Sequence, residues 1–387
     1  MKIRWLRDEN QEQAIACGPL SRYAAAVRLI VLLLAALALR LGFVFVVLPA
    51  IEPRLALRFD ADNYTAIAQS IWRGEWNDVE RGPVYPLFVA VCGGSLSAVR
   101  LAQALMDCGT VWLVFLLTRR LWSEKPAWVA AWLYAVYPLA WWRVAFMNKE
   151  IVLTLLLAAT VWCWQRPVVS GVGLALANLC KPSYLLLPLL RRWWSPQRKT
   201  FVVTLAVMLA VIAPWTVRNY VVTGELLPVA TERGGFTAYV TNWWPTRGDW
   251  ETNKALWQAE LDRIRGQHAD LNPVQLDRLF YRLTLQNIVA EPGHTLLMFA
   301  RKAVMFWFVN ASGRVWWAVA LLQLVYLGLA VAGAVRRRPP VELLTVVLYT
   351  WALHALVIAD VRFALPVMPY VCVMAAAAFR YEDKRLA

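Results

Sequence analysis

Six cysteines are scattered along the chain (Cys17, Cys92, Cys108, Cys163, Cys180 and Cys372), and no two of them form a CxxC pair. That pattern gives no dithiol redox motif and no thiolate metal knot. Most lie in apolar runs and read as small core residues. No internal repeat is visible, which counts against the duplicated architecture common among transporters. Acids are scarce beside bases: 25 Asp and Glu against 40 Lys and Arg leave a net charge of +15. In a soluble chain this balance would point to nucleic acid. Here the cations gather at the ends of apolar runs. They read as topology signals and as partners for anionic membrane lipids, and no nucleic acid is expected. No cleavable leader is expected either, because the first apolar run is too long for one.

What the chain has in excess is apolar length. Sixty per cent of its 387 residues are hydrophobic, and the mean hydropathy is +0.48. Several runs approach the roughly 20 residues needed to cross a bilayer. An all-α polytopic membrane protein follows, because only helices or closed barrels satisfy the backbone in hydrocarbon. Tryptophan is abundant, at 22 residues, with pairs such as Trp141-Trp142, Trp243-Trp244 and Trp316-Trp317. An aromatic belt at headgroup level accounts for most of them. The sharper alternative is that some of these rings stack on sugar or lie along a lipid chain.

Charge placement sets an expected topology. Residues 1–22 carry Lys2, Arg4, Arg7 and Arg22 and form a cytoplasmic tail. A transmembrane core over 23–217 starts with a span at 23–48, whose Arg40 is too deep to snorkel and should face the bundle interior. A first external loop, 50–97, holds an amphipathic helix ended near Gly74 and a short apolar piece, 84–96. If 84–96 crossed, Arg119, Arg120 and Lys125 would lie outside, so it is expected along the interface. Further spans are expected at 98–118, 126–144, 151–165, 168–180, 183–194 and 200–217. Residues 218–314 form an external loop with amphipathic helices, one starting at Asn272-Pro273, and an interfacial run at 294–310 carrying Arg301 and Lys302. The C-terminal helices of 315–387 bring the total to about ten spans with both termini cytoplasmic, in the plasma (inner) membrane.

On this topology Asp60, Asp62, Arg81, Glu150, Lys181, Arg218 and Arg362 share the external side. Acids and bases converging at one membrane face suggest a site that handles phosphate, with or without a divalent cation. Carboxylates are ligands for hard cations and also general bases. Each residue has a plainer reading. Asp60 is a good N-cap for the helix after it. Asp62 is a solvated partner, roughly 200° away from Asp60 if both are helical. Glu150 caps a helix or pairs with Lys149 at the surface. Lys181 snorkels, and Arg362 pairs with Asp360.

The order Asp60-x-x-x-Tyr64, Ala66, Ala68, Gly74, then Arg81-Gly82-Pro83-Val84-Tyr85-Pro86-Leu87 resembles the first external loop of the GT-C membrane glycosyltransferases. The similarity is to the aminoarabinose transferases and protein O-mannosyltransferases. Further stretches resemble that family in order: Ala98 to Arg120, Lys181-Pro182-Ser183-Tyr184, Pro214 to Tyr220, Gly234 to Tyr239, Glu291 to His294, and Arg362 to Pro366. The resemblance implies a GT-C-type bundle with interfacial helices and an external loop domain. It puts the catalytic or metal-associated carboxylate on Asp60, with Asp62 as the fallback. Glu150 keeps a family acid but lacks the proline that often follows it. Gly82 stands where the family often has proline, which leaves the Arg81 turn more backbone freedom.

Such enzymes take a sugar from a polyprenyl phosphate outside the cytoplasm. The resemblance therefore implies transfer to a glycan, lipid or protein acceptor, with inversion. Arg81, Lys181, Arg218 and Arg362 would bind the donor phosphate; Asp60 and Glu150 would hold a Mg or Mn ion if one is used. The competing class is a transporter or flippase of lipid-linked sugars. It predicts charges spread through the bilayer and often pseudo-repeats.

Overall fold

Every regular element among the described residues is helical, as hydrocarbon requires of a chain that must satisfy its backbone within each segment. The structure, a computed structural model, describes residues 19–51, 61–194, 198–246, 253–309 and 315–381. Asp60 and most of the expected N-terminal tail therefore lie outside the described residues.

Four helices are long and apolar enough to cross a membrane. They are α1 (Pro19–Gly42), α4 (Leu96–Leu121), α10 (Arg198–Thr223) and α15 (Trp316–Arg336). A π-helical turn, Phe43–Val47, carries α1 on to Ile51. The 26 residues of α4 and of α10 reach roughly 39 Å at the helical rise. Four of the ten expected spans are thus single long helices, and the others are shorter or broken. The run 126–144 splits into α5 (Glu124–Ala135) and α6 (Pro138–Val144), because Pro138 starts a new helix after the extended Tyr137. The elements α7 (Glu150–Trp162), α8 (Pro167–Cys180), α9 (Leu187–Trp194) and α16 (Val341–Leu356) are apolar but short. The last expected span begins as a 3-10 helix, Val361–Val367, and continues as α17 (Met368–Ala376). Of the two interfacial pieces expected in the first loop, α2 runs Ala61–Trp72 and α3 only Val84–Val91. Eight residues give α3 roughly 12 Å, against a hydrocarbon core of about 30 Å.

The core centres on α4, which packs on α1, α5, α7 and α17. Gly333 of α15 allows a close approach of two helices: a Cβ there would overlap the Met374 carbonyl oxygen of α17. Arg40 faces the interior, as its depth in the first span required. It is fully buried, donating Nε to Asp107 Oδ2 at 2.6 Å and Nη1 to the carbonyls of Ala36 (2.9 Å) and Ala135 (3.0 Å). Tyr134 Oη donates to Asp107 Oδ1 at 2.7 Å. This paired cluster joins α1, α4 and α5. Asp107 carries no distinguishing sequence signal beyond being an acid in an apolar run.

A second, smaller hydrophobic cluster lies within the expected loop region. It is built from Tyr239, Val240, Trp257, Leu261, Ile264 and Phe280. The helices are α11 (Gly234–Asn242), α12 (Lys254–Gln267) and α13 (Pro273–Ala290). Asn272 starts α13 with a capping box: its Oδ1 accepts from Val274 N at 3.0 Å and Gln275 N at 2.9 Å, and Gln275 Oε1 accepts from Asn272 N at 3.2 Å. Asp277 ties α13 to α11 by accepting from Gly235 N at 2.9 Å and Phe236 N at 3.3 Å. Burial pushes its carboxyl up to about 6. In α14 (Pro292–Phe308) the expected interfacial pair divides: Arg301 is exposed and Lys302 is fully buried. Lys302 Nζ donates to Asn242 Oδ1 at 2.6 Å and to Leu356 O at 2.8 Å, joining the small cluster to the end of α16.

Candidate active site

The ends of α6, α8 and α16, the start of α7 and the 3-10 segment after α16 meet at one end of the bundle. Each contributes an ionisable residue. Glu150 opens α7 and is buried, so the surface ion pair with Lys149 does not form. Its charged neighbours are Arg362, Lys181, Arg143 and Lys149. Lys181 ends α8, with its Nζ 3.4 Å from His354 Nε2. Phe363 serves as a shared plate. Lys181 Nζ lies 4.0 Å from its ring centroid, Arg362 Cζ 4.7 Å, and the His354 ring packs edge-on at 4.6 Å. Asp360 caps the 3-10 segment by accepting from Arg362 N at 2.7 Å. Its carboxylate is also a charged neighbour of Arg143. Glu150 Oε2 has no hydrogen-bond partner among the described residues. A buried acceptor of this kind suits a hydroxyl or amide donor from a ligand.

The first loop reaches this cluster through α2 and the turn before α3. Tyr64 is buried with its ring edge-on to Tyr85 at 4.7 Å, and Tyr85 Oη donates to Gln103 Oε1 at 3.0 Å. Arg81 Cζ stands 5.8 Å from the Tyr64 ring centroid. Gly82 sits against the end of α8, where an added Cβ would overlap the Leu179 carbonyl oxygen. The expected freedom of the Arg-Gly-Pro turn is therefore absent. Glycine is there for close approach, and its N–H donates to Glu232 Oε1 at 3.2 Å. That close approach holds the backbone just after Arg81 against the last turn of α8, which ends at Lys181.

Glu150, Lys181 and Arg362 thus come together with Arg143, Arg81 lies over Tyr64 in the adjoining first loop, and Arg218 is held elsewhere, against that loop. Its Nη1 donates to Asp78 O at 2.8 Å and Asn219 Oδ1 at 3.0 Å, and its Nη2 donates to Trp76 O. It also lies over the Trp215 ring at 4.6 Å and the Trp76 ring at 5.6 Å. This geometry gives it a loop-holding role. Nearby, burial raises the Asp78 carboxyl from its ordinary value. Asp62 lies in α2, but its side chain, like all of Asp60, is outside the described residues. Arg143, His354 and Glu232 were not singled out from the sequence. The first two carried a usable signal, a lone ionisable side chain in an apolar run. Glu232 carried none.

The donor set around Glu150 does not suit a divalent cation. Its charged neighbours are all cationic, and no group of three or more His, Cys, Asp or Glu side chains that could hold a metal gathers among the described residues. Asp60, the other expected ligand, is outside them. What the cluster suits is an anion of phosphate type, met by guanidinium and ammonium donors.

Residues 84–217 match the sequence profile of the family described as dolichyl-phosphate-mannose-protein mannosyltransferase. That stretch contains Arg143, Glu150 and Lys181. Among curated proteins none matches. Two solved structures of an oligosaccharyltransferase from Archaeoglobus fulgidus share the architecture. One is AglB in complex with an inhibitory peptide and a dolichol-phosphate, and the other is the apo form. Each superposes with a TM-score of 0.56 at 15% identity, covering 93% of this chain and 50% of the other. The chain shares the fold of this archaeal oligosaccharyltransferase. It spans about half the length of the archaeal enzyme it matches.

Proposed function

We propose that this chain is a membrane glycosyltransferase that moves a sugar from a polyprenyl-phosphate donor to a glycan, lipid or protein acceptor. The observation that carries the reading is the gathering of Arg143, Lys181 and Arg362 around Glu150 at one end of an apolar bundle, with Arg81 over Tyr64 in the adjoining first loop. A lipid-linked donor lays its tail along apolar helix faces and its phosphate among these cations. As the bond from the anomeric carbon to the phosphate oxygen breaks, charge develops on that oxygen. Preformed cations stabilise it more strongly than water does. The acceptor oxygen attacks the anomeric carbon from the opposite side, its proton passes to a carboxylate, and lipid phosphate leaves. One displacement inverts the anomeric centre. Asp60 is the carboxylate assigned to the proton, on its sequence position one turn before Tyr64. Glu150 orients Lys181 and Arg362 and offers Oε2 to a sugar hydroxyl.

The dolichol-phosphate bound by the archaeal enzyme of the same fold supports a lipid phosphate as the donor-side ligand. The positive-inside rule, applied to Arg119 and Arg120 at the end of α4, supports an external site with cytoplasmic termini, and the plasma membrane is part of the same proposal. A lipid-linked-sugar flippase remains the alternative class. The deeply buried Arg40 and Asp107 argue against it, because they are paired with each other and tie helices together.

The reading is tested by binding of a non-hydrolysable polyprenyl-phosphate sugar analogue to the purified protein. Lys181→Ala and Arg362→Ala should each weaken affinity by about tenfold or more. Unchanged affinity in both would remove the phosphate site.

A further inference from the structure

Glu232 and Arg233 both have φ of +50°, a left-handed conformation that non-glycine residues adopt at a cost. Strain of this kind persists where surrounding contacts over-determine it. Here the turn lays the chain against the first loop: Thr231 N donates to Val79 O at 3.1 Å and Glu232 N to Glu80 O at 3.0 Å. Arg233 Nε adds a bond to Glu80 Oε2 at 2.7 Å. The Glu232 side chain then turns back and joins two further segments. Its Oε1 accepts from Gly82 N at 3.2 Å, and its Oε2 pairs with Lys149 Nζ. Gly82 follows Arg81, and Lys149 precedes Glu150. One carboxylate therefore holds the immediate neighbours of two site residues that lie far apart in sequence.

We propose that Glu232 is a positioning residue, the clasp that sets Arg81 and Glu150 in register around the phosphate site. The proposal rests on the functional reading above for its consequence, but not for its geometry. The ion pair and the left-handed turn both act just before α7 and α3, on where those helices start. The clasp also explains why a strained turn is kept in a loop that a glycine would relax.

The test uses the full chain in lipid nanodiscs and three variants. Glu232→Ala removes the carboxylate and keeps the strain. Glu232→Gly removes the carboxylate and relaxes the turn, which keeps the backbone pairing with residues 79 and 80. Glu232→Gln keeps an acceptor for Gly82 N and loses the ion pair. Hydrogen exchange over 78–85 and 147–152 is measured first, without substrate. Exchange should rise in both segments for the Ala and Gly variants. In the Gln variant it should rise mainly over 147–152. Affinity for the non-hydrolysable donor analogue should then fall by about tenfold in Glu232→Gly, the loss expected for a misplaced charged contact. The charge-swapped pair Lys149→Glu with Glu232→Lys should recover part of the protection over 147–152. Wild-type exchange in Glu232→Gly would overturn the clasp outright, whatever the donor. If the wild type binds no donor, the functional reading fails and the exchange data still decide the clasp. Raised exchange with unchanged donor affinity would reduce Glu232 to a loop contact and overturn the positioning role.

Discussion

Replacing Gly82 by alanine adds one carbon at the tightest point between the first loop and the bundle. The new Cβ would overlap the Leu179 carbonyl oxygen and lie 3.0 Å from its carbonyl carbon and 3.5 Å from Cys180 O. Relaxed contacts between carbon atoms lie near 3.5–4.0 Å, so the first loop must withdraw by roughly 1 Å. Both sides of the contact are backbone, and no side-chain rotation relieves it. The withdrawal stretches the Gly82–Glu232 bond from 3.2 Å to beyond useful range. Overpacking and a lost bond to a carboxylate together cost on the order of 3 kcal/mol. Misplacement of a catalytic constellation by about 1 Å lowers turnover by roughly 100-fold. The assay pairs thermal unfolding in detergent with release of lipid phosphate from a polyprenyl-phosphate sugar. Gly328→Ala in α15 is the control, because an added Cβ there meets nothing within 4 Å. Gly82→Ala should melt lower and turn over far more slowly, while the control keeps both. Wild-type melting and turnover in Gly82→Ala would refute the close-approach argument.

Three further outcomes follow from the same structure. Asp107→Leu leaves Arg40 buried without its carboxylate and should cost about 3–5 kcal/mol of stability. Thermal unfolding should show most of that loss recovered in the double variant Arg40→Met with Asp107→Leu. Arg218→Ala should make the 73–83 segment more sensitive to protease and lower donor affinity less than Lys181→Ala does; the reverse ranking would return Arg218 to the phosphate site. Asp277 holds its proton more tightly in the folded chain, at about 6, than in the unfolded one. The stability that proton confers is fully present below the ordinary carboxylate value of about 4 and is lost as pH rises through about 6. Asp277→Asn still accepts from Gly235 N and Phe236 N, so its unfolding midpoint should vary less across that window. An unchanged pH profile would remove Asp277 as the cause.

The parts of the fold legible from sequence were those fixed by local composition. Apolar runs with terminal cations gave α4, α10 and α15. The depth of Arg40 gave its inward direction, and Asn272-Pro273 gave the start of α13. The break at Tyr137-Pro138 was missed because the apolar run continues across it, and hydropathy outweighed the local meaning of proline. Glu150, Lys181 and Arg362 were legible because each is an ionisable group at the edge of an apolar run. The same signal marked Arg218, but Trp76 and Trp215 lie against it and two loop carbonyls take its donors. Glu232 was invisible: its partners are 83 and 150 residues away in sequence, and only the folded chain brings them together.

The most direct test of the central claim is sugar transfer by the purified protein in a defined bilayer. Radiolabelled polyprenyl-phosphate sugars are supplied as a panel with candidate acceptors, and released lipid phosphate is measured beside the anomeric configuration of the product. The account predicts release from at least one donor, with inversion. It also predicts that Asp60→Asn abolishes release while keeping donor binding and that Asp62→Asn has the smaller effect. Movement of intact donor across the bilayer without release, or full transfer by Asp60→Asn, would contradict it.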